Sequence, residues 1–554
     1  MQTIRRLYLY FIAAVSLTML AVGLVNLLDL AASQLWAVLG WTQVVRSGAE
    51  SLREQVSLFT ALVVPALPIW LLHWWLAERA VQQPGPAAES ERRSTVRALY
   101  LTLVLLVSLL FWVYAAGDLV YAAVASASGA APAPLLADLP RALATLLIAG
   151  GVWLYHLRVR ARDRRGGPLD GSAVWLPRFY LYGAAGFGAL RLLFGSTELI
   201  RLLNDLLLSE GSITRGTAWW TQPLAAGVAQ VTLGLLVWGG HWTYALALVE
   251  RSDWQGQSEQ RSVLRRLYLY ITAVIGVFMT LWALSLSLEN VLRLLLGVPA
   301  VTGLALQIRS IVEPPLGVLP FALFWFYQRG QTVVEARRYA EAPLQATVRR
   351  VYTYVIAAVG LLFAAAGLAY TIGLLIDVAA GGATYIGSPA ELWRERVSRA
   401  VALTLVGAGV WLWHWYVAQR QVVEAPGAER GTMTRRLYLF GVLALALVAL
   451  LGSLAYIIYR IFNVLLGVAP AATLVAEISL SLGLATVAAP LLAYHALTLR
   501  DDLAARAEPA VTPRTLTLVL SGPPEADLAA EVSELRRHLP AGYSLTPVRS
   551  GSDR

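Results

Sequence analysis

The chain has 554 residues, of which 58% are hydrophobic and only 14% charged, with a mean hydropathy of +0.61. A soluble domain holds about 45–50% apolar and about 25% charged residues, so an ordinary water-soluble globule is excluded. All 44 basic residues are Arg and Cys is absent, which removes disulfides, thiolate metal sites, cysteine nucleophiles and lysine Schiff bases.

In chain order, the predicted elements fall into six copies of one unit, which calls for reading the repeat before any local motif. Copy one, 1–83, opens on RRLYLY around Tyr8 and ends near Trp70 and His73. Copy two, 94–165, has VRALYLT around Tyr100, then Trp153 and His156. Copy three, 173–252, has PRFYLY around Tyr180, then Trp238 and His241. Copy four, 262–338, has RRLYLY around Tyr268, then Trp325, with Gln328 in the His position. Copy five, 346–424, has RRVYTY around Tyr352, then Trp411 and His414. Copy six, 431–506, has RRLYLF around Tyr438 and keeps His495 without the Trp. Successive marker tyrosines lie 92, 80, 88, 84 and 86 residues apart. Composition changes in 507–554, where 515–520 and 543–548 read as strands around a helix at 523–539, a small α/β cytoplasmic tail.

Each copy carries two apolar stretches near 20 residues, for example 7–28 with 57–76 and 351–375 with 400–417. That length crosses a hydrocarbon core of about 30 Å. The expected fold is all-α: a polytopic membrane helical bundle of six in-out-in hairpins, with twelve transmembrane helices. The N-terminus also looks like a signal peptide, with a basic pair, an apolar run and small residues at 31–33. The same pattern recurs inside the chain, so the first copy is read as a membrane helix.

The five linkers between copies (78–97, 158–178, 248–266, 328–350 and 418–436) contain 23 arginines, whereas the six loops within copies contain two, Arg46 and Arg215. The net charge of +10 therefore reflects topology rather than nucleic-acid binding. The positive-inside rule places both chain ends and every linker on the cytoplasmic side of a bacterial inner (plasma) membrane. An even helix count per copy makes the copies parallel, unlike the inverted repeats of several transporters. Pro or Gly recurs five or eight residues before the His position, at Pro65, Pro68, Gly151, Pro320, Gly409 and Pro490. Such residues predict a repeated kink or close helix contact.

Three sets of polar residues invite a functional reading. His73, His156, His241, His414 and His495 share the inner helix end, where they suit metal or haem ligation or proton transfer. They equally suit interfacial anchoring, or a hydrogen bond to the marker Tyr at the same depth. Gln328 in one such position favours hydrogen bonding. A second set, Asn26, Asp29, Asp118, Glu198, Asp205, Glu289, Asp377 and Asn463, lies about 27 Å or more from the marker Tyr, at the outer boundary. Arg53, Arg141, Arg309 and Arg394 are the expected ion-pair partners there; an outward-facing vestibule is the alternative.

The third set is Arg191, 11 residues past Tyr180, with Gln230, 11 residues before His241. Both fall near mid-bilayer, where an Arg costs at least ~2.5–3.5 kcal/mol and needs a partner. Gln230, Glu198 or an acid from another copy fits that need. The set reads either as an anion or polar-substrate site or as a clamp between helices. No H-E-x-x-H, P-loop or G-x-S-x-G run is present, so no enzyme and no cofactor is expected.

The pattern R-R-x-Y-x-Y, then an acidic helix end, then E-x-x-x-x-V-x-x-P/G-x-x-W-x-x-H-W, is best kept at 265–289 and 391–420. It resembles an uncharacterised bacterial tandem-repeat integral-membrane domain family, a domain of unknown function, over roughly 1–505. Copies two and three depart most, each losing a marker Arg. The resemblance implies the repeat architecture and carries no activity. The expectation is a non-enzymatic scaffold or membrane-assembly component whose partners are the lipid bilayer and a second copy or other membrane proteins, with no nucleic acid. The alternatives are a transporter or channel for a small polar or anionic solute, and a His-ligated haem or metal redox protein.

Overall fold

The computed structural model describes residues 2–40, 49–129, 138–163, 174–208, 218–298, 304–339, 341–380, 389–507, 523 and 527–539. Among them the chain is helical, without a strand. The expected tail strands at 515–520 and 543–548, like Trp41, Arg46 and Arg215, lie outside these residues. The chain divides into two compact units, Met1–Leu499 and Arg500–Arg554. The second contains the short helix α16 (Leu528–Arg537).

Among the described residues there are twelve long helices, two per copy, the last of which runs past Leu499. They are α1 (Gln2–Val38) with α2 (Ala49–Gln82), α4 (Thr95–Ala127) with α5 (Leu139–Asp163), and α6 (Trp175–Leu208) with α7 (Thr221–Val249). There follow α9 (Val263–Leu295) with α10 (Leu304–Arg338), α11 (Pro343–Ala379) with α12 (Pro389–Glu424), and α14 (Met433–Leu465) with α15 (Leu474–Ala507). Three short helices sit in alternate linkers: α3 (Pro86–Arg92), α8 (Trp254–Gln260) and α13 (Pro426–Glu429). In copies one to five the first helix packs beside its own second helix, and in copies one to four also against the second helix of the following copy: α1 on α5, α4 on α7, α6 on α10 and α9 on α12. The copies thus form a chain of neighbours.

Eleven of the helical segments are long and apolar enough to cross a membrane among the described residues. The sequence predicts twelve. The shortfall is α6, where Arg178, Arg191, Glu198, Arg201 and Asp205 interrupt the apolar run. Large apolar side chains face outward along the helices, as at Phe111, Leu147 and Val448. Only 6% of the apolar window of α2 and 11% of that of α14 is buried, the reverse of a soluble core.

Prolines 65, 68, 314, 315, 320 and 490 sit inside continuous helices. The recurring Gly151 and Gly409 are not close-contact points, for a Cβ at either meets nothing within 4 Å. Close approach falls on neighbouring glycines instead. A Cβ on Gly360 would lie 2.7 Å from the backbone N of Trp411, and one on Gly407 lies 2.7 Å from the carbonyl oxygen of Gly360. Small residues that let backbones touch are the usual glue between helices in lipid.

Candidate functional site

The even copies carry a motif that the Tyr and His markers hide. E-x-x-S/T-x-x-R-x-x-Y occurs as Glu91, Ser94, Arg97, Tyr100; as Glu259, Ser262, Arg265, Tyr268; and as Glu429, Thr432, Arg435, Tyr438. The Ser or Thr is the N-cap of the long helix. In two copies its side chain accepts a backbone hydrogen bond: Arg265 N–H to Ser262 Oγ at 3.3 Å and Arg435 N–H to Thr432 Oγ1 at 3.4 Å. The cap fixes where the helix starts. The Arg then lies in the first turn, and the Glu lies on the short helix before the cap.

All three arginines are buried, at 0–1% exposure. Arg97 donates to Asp163 (2.7 Å), Glu78 (2.6 Å) and the Tyr10 hydroxyl (3.0 Å), with its guanidinium 5.6 Å from the Trp74 ring centroid. Arg265 donates to Glu335 (2.7 Å), the Tyr182 hydroxyl (3.3 Å) and the Ala245 carbonyl (3.1 Å), over Trp242 at 5.0 Å. Arg435 donates to Gln419 (3.1 Å) and Tyr354 (3.4 Å), over Trp415 at 5.5 Å. Each Trp in turn donates to a Tyr of the following copy: Trp74 to Tyr155, Trp242 to Tyr327 and Trp415 to Tyr494, at 2.6–2.7 Å. The motif Glu accepts from the preceding odd copy, Arg6 to Glu91 (2.7 Å), Arg178 to Glu259 (2.8 Å) and Arg350 to Glu429 (2.8 Å). The hydroxyls of Tyr10 and Tyr182 also donate to Glu91 and Glu259.

These are three versions of one node, joining copies 1–2, 3–4 and 5–6. A buried guanidinium is tolerable only when paired and hydrogen-bonded, and each node supplies both acceptors and an aromatic face. The pairing consumes its own charges. It fixes register between two hairpins.

The marker residues form a second layer. In all five histidines Nδ1 lies 2.8–2.9 Å from the carbonyl four residues earlier. A carbonyl only accepts, so Nδ1 carries the hydrogen and Nε2 of the neutral ring is an acceptor. Tyr8, Tyr100 and Tyr180 lie with their hydroxyls 3.4, 3.3 and 3.0 Å from Nε2 of His73, His156 and His241. Gln328 takes the same place and donates to Tyr268 at 3.3 Å. His414 and His495 lie with ring centroids 6.5 and 6.0 Å from those of Tyr352 and Tyr438. The Trp three residues before the His reaches forward: Trp153 to Tyr180, Trp238 to Tyr268, Trp325 to Tyr352 and Trp411 to Tyr438, at 2.8–3.4 Å. Each of these hydroxyls accepts from the preceding copy. Among the described residues, no three His, Cys, Asp or Glu side chains converge as metal ligands.

Arg191 is not brought to Gln230 or Glu198; no hydrogen bond joins it to either. Its guanidinium lies 5.1 Å from the Tyr114 ring and 5.8 Å from Phe187, while Gln230 packs its Cβ against Gly195. Asp118, on α4 of the neighbouring copy, lies within electrostatic reach of Arg191. Arg191 Nε is buried without a hydrogen bond.

At the opposite helix ends, ion pairs also cross between copies. Arg141 meets Asp29 (3.3 Å) and Asn26 (2.8 Å), Arg309 meets Asp205, and Arg399 meets Glu289 (3.2 Å). Arg394, expected to pair with an acid, donates to the Gly297 carbonyl at 3.1 Å. In the linker between copies three and four, the Arg251 guanidinium and the Gly256 N–H hold Asp253 below the usual carboxylate range. Asp253 also caps α8.

A family model described as "Domain of unknown function (DUF5671)" matches the chain three times, over 6–151, 178–323 and 350–489. Each match spans two hairpins and contains one node pair. No curated protein and no solved structure matches the chain.

Proposed function

The chain belongs to the DUF5671 family, a domain of unknown function, and we propose that it is a non-enzymatic integral membrane scaffold or membrane-assembly component. In this reading it crosses a bacterial plasma membrane twelve times as six in-out-in hairpins, with linkers and both described ends in the cytoplasm. The observation that carries it is where the polar groups are spent. Charges cluster at the two helix ends, and at the arginine-rich end they pair with each other within copies and between them. The long faces between them remain apolar and outward, as lipid requires. The sparsely buried faces of α2 and α14 suit lipid, a second copy or another membrane protein.

A second reading, a transporter or channel for a small anionic solute, draws on Arg191, whose Nε is buried and lacks a hydrogen bond. Anion flux into proteoliposomes separates the two. The scaffold reading predicts flux no greater than in protein-free vesicles and an unchanged folding yield for Arg191→Leu. Flux abolished by Arg191→Leu overturns it in favour of the transporter.

A further inference from the structure

A cleft of about 790 Å³ opens between the second and third copies, at the junction of two family units. Its origin is legible in the register of the node. Two residues past the marker Tyr, the odd copies place Tyr10, Tyr182 and Tyr354; copy two has Thr102. One residue past the His, the odd copies place Trp74, Trp242 and Trp415; copy two has Leu157. Three residues before the marker, the even copies place the buried Arg; copy three has Pro177. Every large group of the node is thus replaced by a smaller one at this junction. The other unit junction retains Tyr270, its ring tilted against that of Tyr352 with centroids 5.0 Å apart.

The missing guanidinium is supplied from the other side. Arg160 of α5, 9% exposed, donates to the Pro177 carbonyl at 2.7 Å and stacks 4.8 Å from the Tyr180 ring. Arg160, Arg251 and Gln255 line the linker end of the cleft, and among the described residues no carboxylate lines it. Deeper, the walls are Leu109, Trp112, Leu236 and Val237. Leu236 stands about 20 Å along the helix axis from Val249, the last residue of α7. A basic mouth leads to an apolar trough that runs parallel to the helices.

We propose that this cleft binds one anionic phospholipid, with its phosphate at Arg160 and Arg251 and an acyl chain against Trp112 and Leu236. The inference rests on the membrane reading above. Basic pockets between helices on the cytoplasmic side select anionic head groups, and the cleft pairs that charge with apolar length that free phosphate does not use. Asp253, which pairs with Arg251 from outside the cleft lining, competes with the lipid and tunes its affinity.

Native mass spectrometry of the full chain in detergent tests this with phosphatidylglycerol, phosphatidylcholine of matched chains, and inorganic phosphate. A Cβ at Gly240, which lines the cleft, or at Gly239, which does not, meets no atom within 4 Å. Gly240→Leu therefore fills the trough, and Gly239→Leu is its control. The expected result is one phosphatidylglycerol retained in preference to phosphatidylcholine, lost in Gly240→Leu, kept in Gly239→Leu, and weakened about fivefold in Arg251→Gln, since each basic residue near such a surface contributes about 1 kcal/mol. Equal retention of both lipids, or equal binding by the two Leu variants, overturns the cleft proposal while leaving the membrane reading standing. Displacement of the lipid by inorganic phosphate alone overturns it too. A protein that stays dispersed without detergent and retains neither lipid overturns both.

Discussion

The guanidinium of Arg97 lies 5.6 Å from the Trp74 ring, a contact between the first helix of one hairpin and the second helix of the hairpin before it. Arg265 with Trp242 and Arg435 with Trp415 repeat it. The equivalent residues recur at intervals near 170, twice the hairpin period, and so does the family match. The structural unit is therefore a pair of hairpins closed by one buried arginine.

Removing that arginine takes from its buried acceptors their closest partner, leaving Glu78 and Asp163 to Arg162 and Glu335 to Arg266. Arg265→Met leaves Glu335 only its longer 3.6 Å contact with Arg266 and takes the side-chain donor from the Ala245 carbonyl, and breaking a buried pair from one side costs up to about 3–5 kcal/mol. The thermal midpoint in detergent is expected to fall sharply. Arg265→Met combined with Glu335→Gln recovers part of the loss, because the stranded carboxylate becomes a neutral amide that still accepts from the buried Arg266. Equal losses in the single and double variants contradict this.

The residue at the His position hydrogen-bonds the marker Tyr hydroxyl, as acceptor where it is His156 and as donor where it is Gln328. His156→Gln, which imports what Gln328 already provides in copy four, is expected to hold the wild-type midpoint. His156→Leu leaves the buried Tyr100 hydroxyl without its acceptor, at a cost of about 1–3 kcal/mol. A Gln variant as damaged as the Leu variant points to a role for the imidazole itself.

Two glycines on α12 separate contact from mere composition. Gly407→Leu drives a side chain into Phe363 and the Gly360 carbonyl and is expected to abolish the folded yield. Gly409→Leu, two residues on and facing open space, is expected to be neutral. Size-exclusion chromatography of the two variants reads the difference.

The hairpin repeat, its two long helices and its inner Tyr and His layer are legible because apolar length and marker spacing recur in every copy. The buried node is less so. Its Trp and its Glu repeat in alternate copies only, so a six-fold reading averages Trp74 with Leu157, as it averages Tyr10 with Thr102. The motif linking Glu91, Ser94, Arg97 and Tyr100 is visible once copies are compared in pairs. Partner choice is another matter. Glu289 pairs with Arg399 rather than Arg394, and Arg191 turns to Tyr114 rather than Gln230. Depth along a helix is written in residue number, but the face that meets a neighbouring copy depends on how helices rotate against each other.

The measurement that bears most directly on the account is sidedness. The chain has no Cys, so a thiol introduced at Gln257 in a linker or at Ser126 at the other end of a hairpin, both exposed, is the sole target for an impermeant maleimide. In-out-in hairpins predict labelling of Ser126→Cys in intact cells, and of Gln257→Cys only after permeabilisation. Labelling of both positions from one side contradicts the account.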